Sequence, residues 1–322
     1  MNSDFLKPSE IVNLIPSIDS IHKVHNYLSR NSIPVMKDNN RIRIPSSSMR
    51  QILESKNFTY NPTTFTFHIV KGGVGKTTFA STFAYRAAQY GARILAIDLD
   101  QQGNLTSSLG VNGRGKPAMI DIIKNNVDIT ETIIPVNENL FVLPSNMNNS
   151  RLDNEINSTN RNIATLFTDI LSPIRNDVDY IVFDCPPTLN KITTAASLCS
   201  DFVIMPINAD VFSMDALEQT TLELETLGKS YKKNINYKLT WNKFDQREKL
   251  CVQYLRELAS NPTYSQHITL SLIRTDSNIK NALYNEQSIF NLESKSSAKE
   301  DFDSLTKELM GLENWSSDLT KN

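Results

Sequence analysis

From Phe65 onward the chain alternates short, continuously apolar runs with longer stretches of helical periodicity. FTFHIV, ARILAIDLD, DYIVFDCPP, DFVIMPINA and YKLTWNKF read as strands. TTFASTFAYRAAQYG, ending near Gly91, and MDALEQTTLELETLGK read as helices. Strands that are apolar throughout, with helices between them, belong in a parallel sheet covered on both faces. The pattern therefore predicts a doubly wound, mainly parallel α/β sheet, with its working groups at the carboxyl ends of the strands. No internal repeat or low-complexity segment interrupts it.

Residues 1–60 follow a different pattern. Ser9 is placed to cap a short helix, SEIVNLI, that stops at Pro16. A second helix runs through SIHKVHNYLSRN, with Ile21, Val24, Tyr27 and Leu28 on one face. In IPVMKDNNRIRIP the polar centre KDNN lies between two β-like runs, as in a hairpin, and SSSMRQILESK restarts a helix. Helix, turn, helix, hairpin, helix is the outline of a small winged helix-turn-helix module. NFTYNPTT, with Pro62, reads as a linker, so the expected boundaries are 1–60 and 61–322.

Charge sharpens the division. The whole chain carries a formal net charge of −2, whereas residues 1–60 hold eight Lys/Arg against five Asp/Glu. Any contact with DNA must come from local patches and not from a polycationic chain. Cys185, Cys199 and Cys251 have no metal-ligand spacing and cannot all pair, which suits reduced thiols. No apolar run approaches the roughly 18 residues of a membrane span, and MNSDFLKPSE is too polar for a signal peptide. The expectation is a cytoplasmic protein.

The chemistry sits at three strand ends. In HIVKGGVGKTT, Gly72, Gly73 and Gly75 allow backbone N–H groups to turn inward around phosphate, and the helix starting at Lys76 adds its positive end. Lys76 would reach the β- and γ-phosphates, Thr77 would ligate Mg²⁺, and Thr78 would donate to the α-phosphate. The general pattern G-x-x-x-x-G-K-[ST] wants a glycine where Val70 stands, and a second lysine, Lys71, follows it. In IDLDQQGNLT, Asp98 and Asp100 are one residue apart along a strand and cannot share one job. In YIVFDCPP, Asp184 ends an apolar strand, the place for a carboxylate that holds Mg²⁺ through water.

KGGVGKTT, then ILAIDLDQQGNLTSSLG, then YIVFDCPPTLN resemble the deviant-Walker P-loop ATPases, most closely the ParA partition family. The resemblance runs from about Phe65 to Leu312 and includes SKSSAKEDFDSLTKEL as the family's closing helix. RIRIPSSSMRQIL resembles the wing and following helix of the MerR-like region found in larger plasmid partition ATPases. The resemblance implies a slow, partner-stimulated ATPase using ATP/ADP and Mg²⁺, a homodimer that binds DNA, and a ParB-like centromere-binding partner. It places such a protein on the bacterial nucleoid. It implies that Lys71 contacts the nucleotide of the other subunit, giving Lys71, Gly72, Gly73, Val74, Gly75, Lys76, Thr77 and Thr78 as the nucleotide loop. It suggests Asp100 as the residue that positions water, Asp98 near the metal with Thr77 and Asp184, and Asn242 at the adenine. Lys71, Lys76 and Asp100 are the implied catalytic set.

Three departures from the family pattern stand out. Ile69-Val70 replaces Asn-Gln, Gln101 replaces a proline, and Leu272 stands ahead of Ile273-Arg274 where the family has Ile-Pro-Arg. A MinD-like membrane-positioning ATPase would end in a basic amphipathic helix, but KELMGLENWSSDLTKN has mixed charge. Nitrogenase-type iron proteins and amide-forming synthetases, a metabolic class, share the loop, but the iron proteins need cluster cysteines at set positions that three scattered ones do not provide. A repressor with a vestigial nucleotide site would not need Lys76, Thr77, Asp100 and Asp184 intact. For DNA, the N-terminal candidates are His22, Lys23, His25 and Arg30 on the second helix, with Arg41 and Arg43 on the wing. Non-specific contacts are expected among Lys232, Lys233, Lys243, Arg247, Lys249, Lys280 and Lys299.

Overall fold

The computed structural model describes residues 5–15 and 18–319. Among the described residues ten strands are formed: β1 Phe5–Leu6, β2 Met36–Asp38, β3 Arg41–Pro45, β4 Thr63–Phe67, β5 Ile94–Asp98, β6 Ile134–Pro135, β7 Leu140–Leu143, β8 Tyr180–Asp184, β9 Phe202–Ile207 and β10 Asn236–Trp241. Seven of them make one sheet in the order β10-β9-β4-β8-β5-β7-β6. Every neighbour in it is parallel except the edge pair β6–β7. The chain runs outward from β4 to β5 and β7, returns to lay β8 between β4 and β5, and then builds β9 and β10 on the other side. That return brings three strand ends together: Phe67 lies opposite Asp184, and Asp184 opposite Asp98.

The first helix after β4, α3 (Lys76–Gln89, preceded by α1 Ile21–Arg30 and α2 Ser46–Glu54), is the best buried of the fold. Phe83 meets Phe65 edge-on at 5.0 Å on the sheet side, and Phe79 meets Phe302 of the helix Ser297–Met310 at 5.1 Å on the other. Buried aromatic pairs of this kind add to the burial of their own area. Among the described residues, no helix is long and apolar enough to cross a membrane.

The N-terminal sixty residues depart from expectation at their start. SEIVNLI is not a helix: the chain makes a single 3₁₀ turn over Pro8–Glu10 and then a turn with Asn13 at φ +64°. A left-handed residue cannot continue a right-handed helix. Ile11, Leu14 and Ile15 serve instead as an apolar plug. The expected stop at Pro16 lies outside the described residues. α1 forms as predicted, with Ser20 accepting from Lys23 N at 3.4 Å and Val24 and Leu28 inward, but Ile21 is 49% exposed. Asn39 and Asn40, both at positive φ, turn β2 into β3, as a tight two-residue hairpin requires. β1 then adds to β3 on its other side.

NFTYNPTT does not behave as a free tether. Phe58 and Tyr60 are buried, and the Tyr60 hydroxyl donates to Tyr90 O at 2.6 Å. Arg50 of α2 donates to Gly91 O at 2.9 Å and to Asp179 at 2.6 Å. Gly91 has φ +87°, and a Cβ there would stand 2.7 Å from the Arg50 backbone, so only glycine lets α2 settle so close. Leu6, Ile44 and Leu53 share one continuous core with Phe83 and Phe302.

Candidate nucleotide site

The loop between β4 and α3 is shaped for an anion. Gly73 and Gly75 have φ of +74° and +102°, and α3 begins at Lys76 directly after them. A Cβ on Gly75 would meet Asn242 Nδ2 at 2.7 Å, so glycine is required there for space as well as for φ. The Lys76 ammonium is buried and donates to Lys71 O at 2.6 Å across the mouth of the loop. Burial weakens its hold on its proton, and the Asp184 carboxylate works against that shift. Gly72, Gly73, Gly75, Lys76, Thr77 and Thr78 all line one side of an open cleft of ≈ 840 Å³. Val74 points the other way, into the core.

Behind the loop lie the carboxylates. The Thr77 hydroxyl donates to Asp184 Oδ2 at 2.7 Å, while Asp184 Oδ1 is buried with no hydrogen-bond partner among the described residues. An unsatisfied buried carboxylate oxygen is costly. Together with a hydroxyl it forms an oxygen donor set that fits a hard divalent cation such as Mg²⁺. Asp98 is differently placed. Its Oδ2 accepts from Thr106 N and Oγ1, at 2.9 and 2.7 Å, and its Oδ1 accepts from Asp100 N at 3.2 Å. It therefore holds the turn from Asp100 to Thr106 against the strand. Burial raises the pKa of Asp98 to about 7, with the Asp100 charge adding to the effect. Burial, then the neighbouring Asp98, pushes Asp184 well up. Asp100 lies beyond the strand on the cleft wall, its Oδ1 accepting from Gln102 N at 3.0 Å.

Lys71 does not point into the loop. Its ammonium pairs with Asp210 and donates to Ser213 Oγ at 2.9 Å, at the start of the helix Val211–Tyr231. Burial would raise the Asp210 carboxyl, but hydrogen bonds from Lys71 and Ser213 hold it below the ordinary range. Phe212, next to this pair, is 75% exposed. Asn242, the residue matched to an adenine contact, lines the cleft, yet its Nδ2 donates to Val74 O at 2.7 Å and its Oδ1 accepts from Lys243 N at 2.9 Å. It braces the loop from behind.

The basic candidates separate once their partners are known. His22, His25, Arg30 and Arg41 are exposed, as is Lys23, which pairs with Asp19 at 2.8 Å. Arg43 is not free on the wing: its side chain is 12% exposed, faces Asp38 at 3.4 Å and lies over the Phe5 ring at 4.9 Å. Lys233 and Lys299 donate to the backbone at Leu198 and Leu292. Arg247 grips Asp245 at 2.6 Å, and Lys232 and Lys249 remain exposed. Lys243 and Lys280 line the nucleotide cleft instead of an outer face. That placement was invisible in the sequence, where each reads as one more surface lysine.

Residues 63–237, more than half of the chain, match the family model described as an AAA domain. The chain belongs to the ParA/Soj family of P-loop ATPases. It is 31% identical over 156 residues to the sporulation initiation inhibitor protein Soj of Bacillus subtilis, spanning 46% of this chain and 59% of that protein. It is 27% identical over 252 residues to a virulence plasmid ParA family protein of Chlamydia psittaci, spanning 76% of this chain and 93% of that one. A plasmid partition protein of Borrelia burgdorferi solved with AMPPNP shares the fold, with a TM-score of 0.64 at 24% identity over 78% of this chain and 99% of that one. Within the ParA/Soj frame, the Ile69-Val70 departure is absorbed internally. Ile69 is fully buried, and Val70 N donates to Thr220 Oγ1 at 3.1 Å.

Proposed function

We propose that this chain is an ATP-dependent DNA partition ATPase: it hydrolyses ATP to ADP and phosphate, works as a homodimer held together by ATP, and binds DNA in that state. The observation that carries the reading is the pair of lysines flanking the glycine turn. Lys76 is turned into the loop, while Lys71 stands at its mouth beside an exposed Phe212. A cation so placed can reach a triphosphate held by a second copy and offset charge that one loop alone leaves. Lys76 and the loop N–H groups hold the phosphates. Thr77 and Asp184 would hold Mg²⁺, with Asp98 fixing the adjoining turn, and the bound ion supplies positive charge against the phosphates. Asp100 orients the attacking water. A ParB-like centromere-binding protein is the partner that would speed the reaction, and the bacterial nucleoid is the site of action.

The N-terminal module would read an operator, with His22, Lys23, His25 and Arg30 of α1 toward the groove and Arg41 at the phosphates. Arg43, tied to Asp38 and Phe5, contributes by holding the hairpin.

The test is Asp100→Ala, assayed for MgATP binding by calorimetry and for turnover with and without duplex DNA. Binding should persist at wild-type affinity while turnover falls roughly 100-fold, the usual scale for losing a proton-handling or water-orienting group. Turnover at the wild-type rate would show that Asp100 does not carry the reaction.

A further inference from the structure

The lysine that follows Asn242 is built into the cleft and is not a stray surface charge. Lys243 leaves β10 at φ +54°, a left-handed conformation that is strained for a residue with a side chain. Both neighbours hold it there. Asn242 N donates to Ile207 O at 2.8 Å and its side chain is locked between Val74 and Lys243. Phe244 N donates to Ile273 O at 2.9 Å, and Phe244 O accepts from Thr275 N at 3.1 Å. The backbone so fixed sends the Lys243 side chain over the rim of the loop, where Nζ donates to Gly73 O at 3.3 Å.

The cleft has two chemically different ends. The glycines, Lys76 and Thr77 make the phosphate end, and at the helix Ser277–Tyr284 Ile279 and Leu283 give the lining two apolar side chains beside the charged Asp276, Lys280 and Glu286. Lys243 lies on the lining along with both. Apolar side chains flanked by polar ones suit a flat, hydrogen-bonding ring and not a phosphate, so a nucleoside di- or triphosphate suits a ligand that spans both ends.

We infer that Lys243 is a positioning residue for the bound nucleotide. Its methylene stem supports the sugar and base as they leave the loop. Its ammonium, tied to Gly73, fixes the outer turn of the loop and adds positive charge beside the phosphates. The assignment rests on the phosphate-loop reading above and deepens it, and it removes Lys243 from the residues expected to grip DNA.

The experiment titrates MgATP into wild type, Lys243→Ala, Lys243→Met and Lys76→Ala, and separately titrates duplex DNA at saturating MgATP into wild type and the two Lys243 variants. Lys243→Ala should bind ATP roughly five- to tenfold more weakly, the scale of one hydrogen bond with its packing. Lys243→Met, which keeps the stem, should bind more tightly than the alanine variant, and DNA affinity of all three should agree. Lys243 variants with wild-type ATP affinity and reduced DNA affinity would return the residue to a DNA surface and overturn the inference. If Lys76→Ala loses ATP while Lys243→Ala does not, only the inference fails. If wild type itself does not bind ATP, the phosphate-loop reading fails and carries the inference with it.

Discussion

The two ends of α3 handle buried polar groups in opposite ways. At its start, the chain leaves groups under-satisfied: Lys76 is desolvated and bonds Lys71 O, and Asp184 Oδ1 has no hydrogen-bond partner among the described residues. At its far end, Arg86 is fully buried yet surrounded. It bonds Asp303 at 2.6 Å, Gln89 at 2.8 Å and Glu10 at 3.1 Å, and its guanidinium lies over Phe290 at 4.4 Å. Tyr90 completes the set by donating to Asp303 at 2.7 Å. Burial alone would loosen the Arg86 proton, but Asp303, Tyr90 and Glu10 more than reverse that. Those partners come from three separate parts of the chain. The same helix therefore spends stability where a ligand is expected and recovers it where the N-terminal module and the closing helix meet.

The largest effects should separate these ends. Arg86→Ala leaves the buried Asp303 with the Lys307 ammonium at 2.7 Å and the Tyr90 hydroxyl at 2.7 Å to offset its charge, and should cost about 3 kcal/mol in urea unfolding, the low end for breaking a buried pair. Lys76→Ala should leave unfolding within about 1 kcal/mol of wild type, because that ammonium is already penalised by burial. It should nonetheless weaken ATP binding about 100-fold, since a charge-assisted contact to phosphate is lost. If Lys76→Ala unfolded as readily as Arg86→Ala, the contrast between the two ends would be wrong.

A smaller effect concerns His68, at the end of β4 behind the loop. It is buried, neither ring nitrogen makes a well-formed hydrogen bond among the described residues, and the Pro186 backbone beside it offers only partial relief. Burial, then the Lys76 charge, lowers its pKa from 6.5 to about 3. The folded state thus binds fewer protons than the unfolded one between those values. Stability from this residue is full above about pH 6.5 and lost as pH falls toward 3, by up to about 1.4 kcal/mol per pH unit. His68→Leu should flatten the stability curve between pH 6 and 4 relative to wild type, while Asp98 and Asp184 contribute equally to both. Parallel curves would mean that His68 is protonated in the fold.

The contrast also explains what the sequence could tell. The loop, the carboxylates and five of the parallel strands were legible because each lies in one short stretch with its own residue types. β6 and β7 were not, since LFVL is a short run between Asn139 and Pro144 and forms a strand by pairing with β5 on one side and β6 on the other. The docking of the N-terminal module was invisible for a related reason. Arg50 with Asp179, and Arg86 with Glu10, are contacts between distant parts of the chain. No local pattern shows that such residues meet. Removing residues 1–60 would therefore expose the shared core around Tyr90, and substitutions on α1 are a cleaner probe of operator reading than a deletion.

In the proposed function, ATP joins two copies of the chain through Lys71. Sedimentation velocity of wild type and Lys71→Ala with Mg²⁺ and a slowly hydrolysed ATP analogue tests it most directly. Both proteins should bind the analogue, because Lys76 and the glycine loop are unchanged, but only wild type should shift from monomer to dimer. A Lys71→Ala dimer as stable as that of wild type would contradict the account.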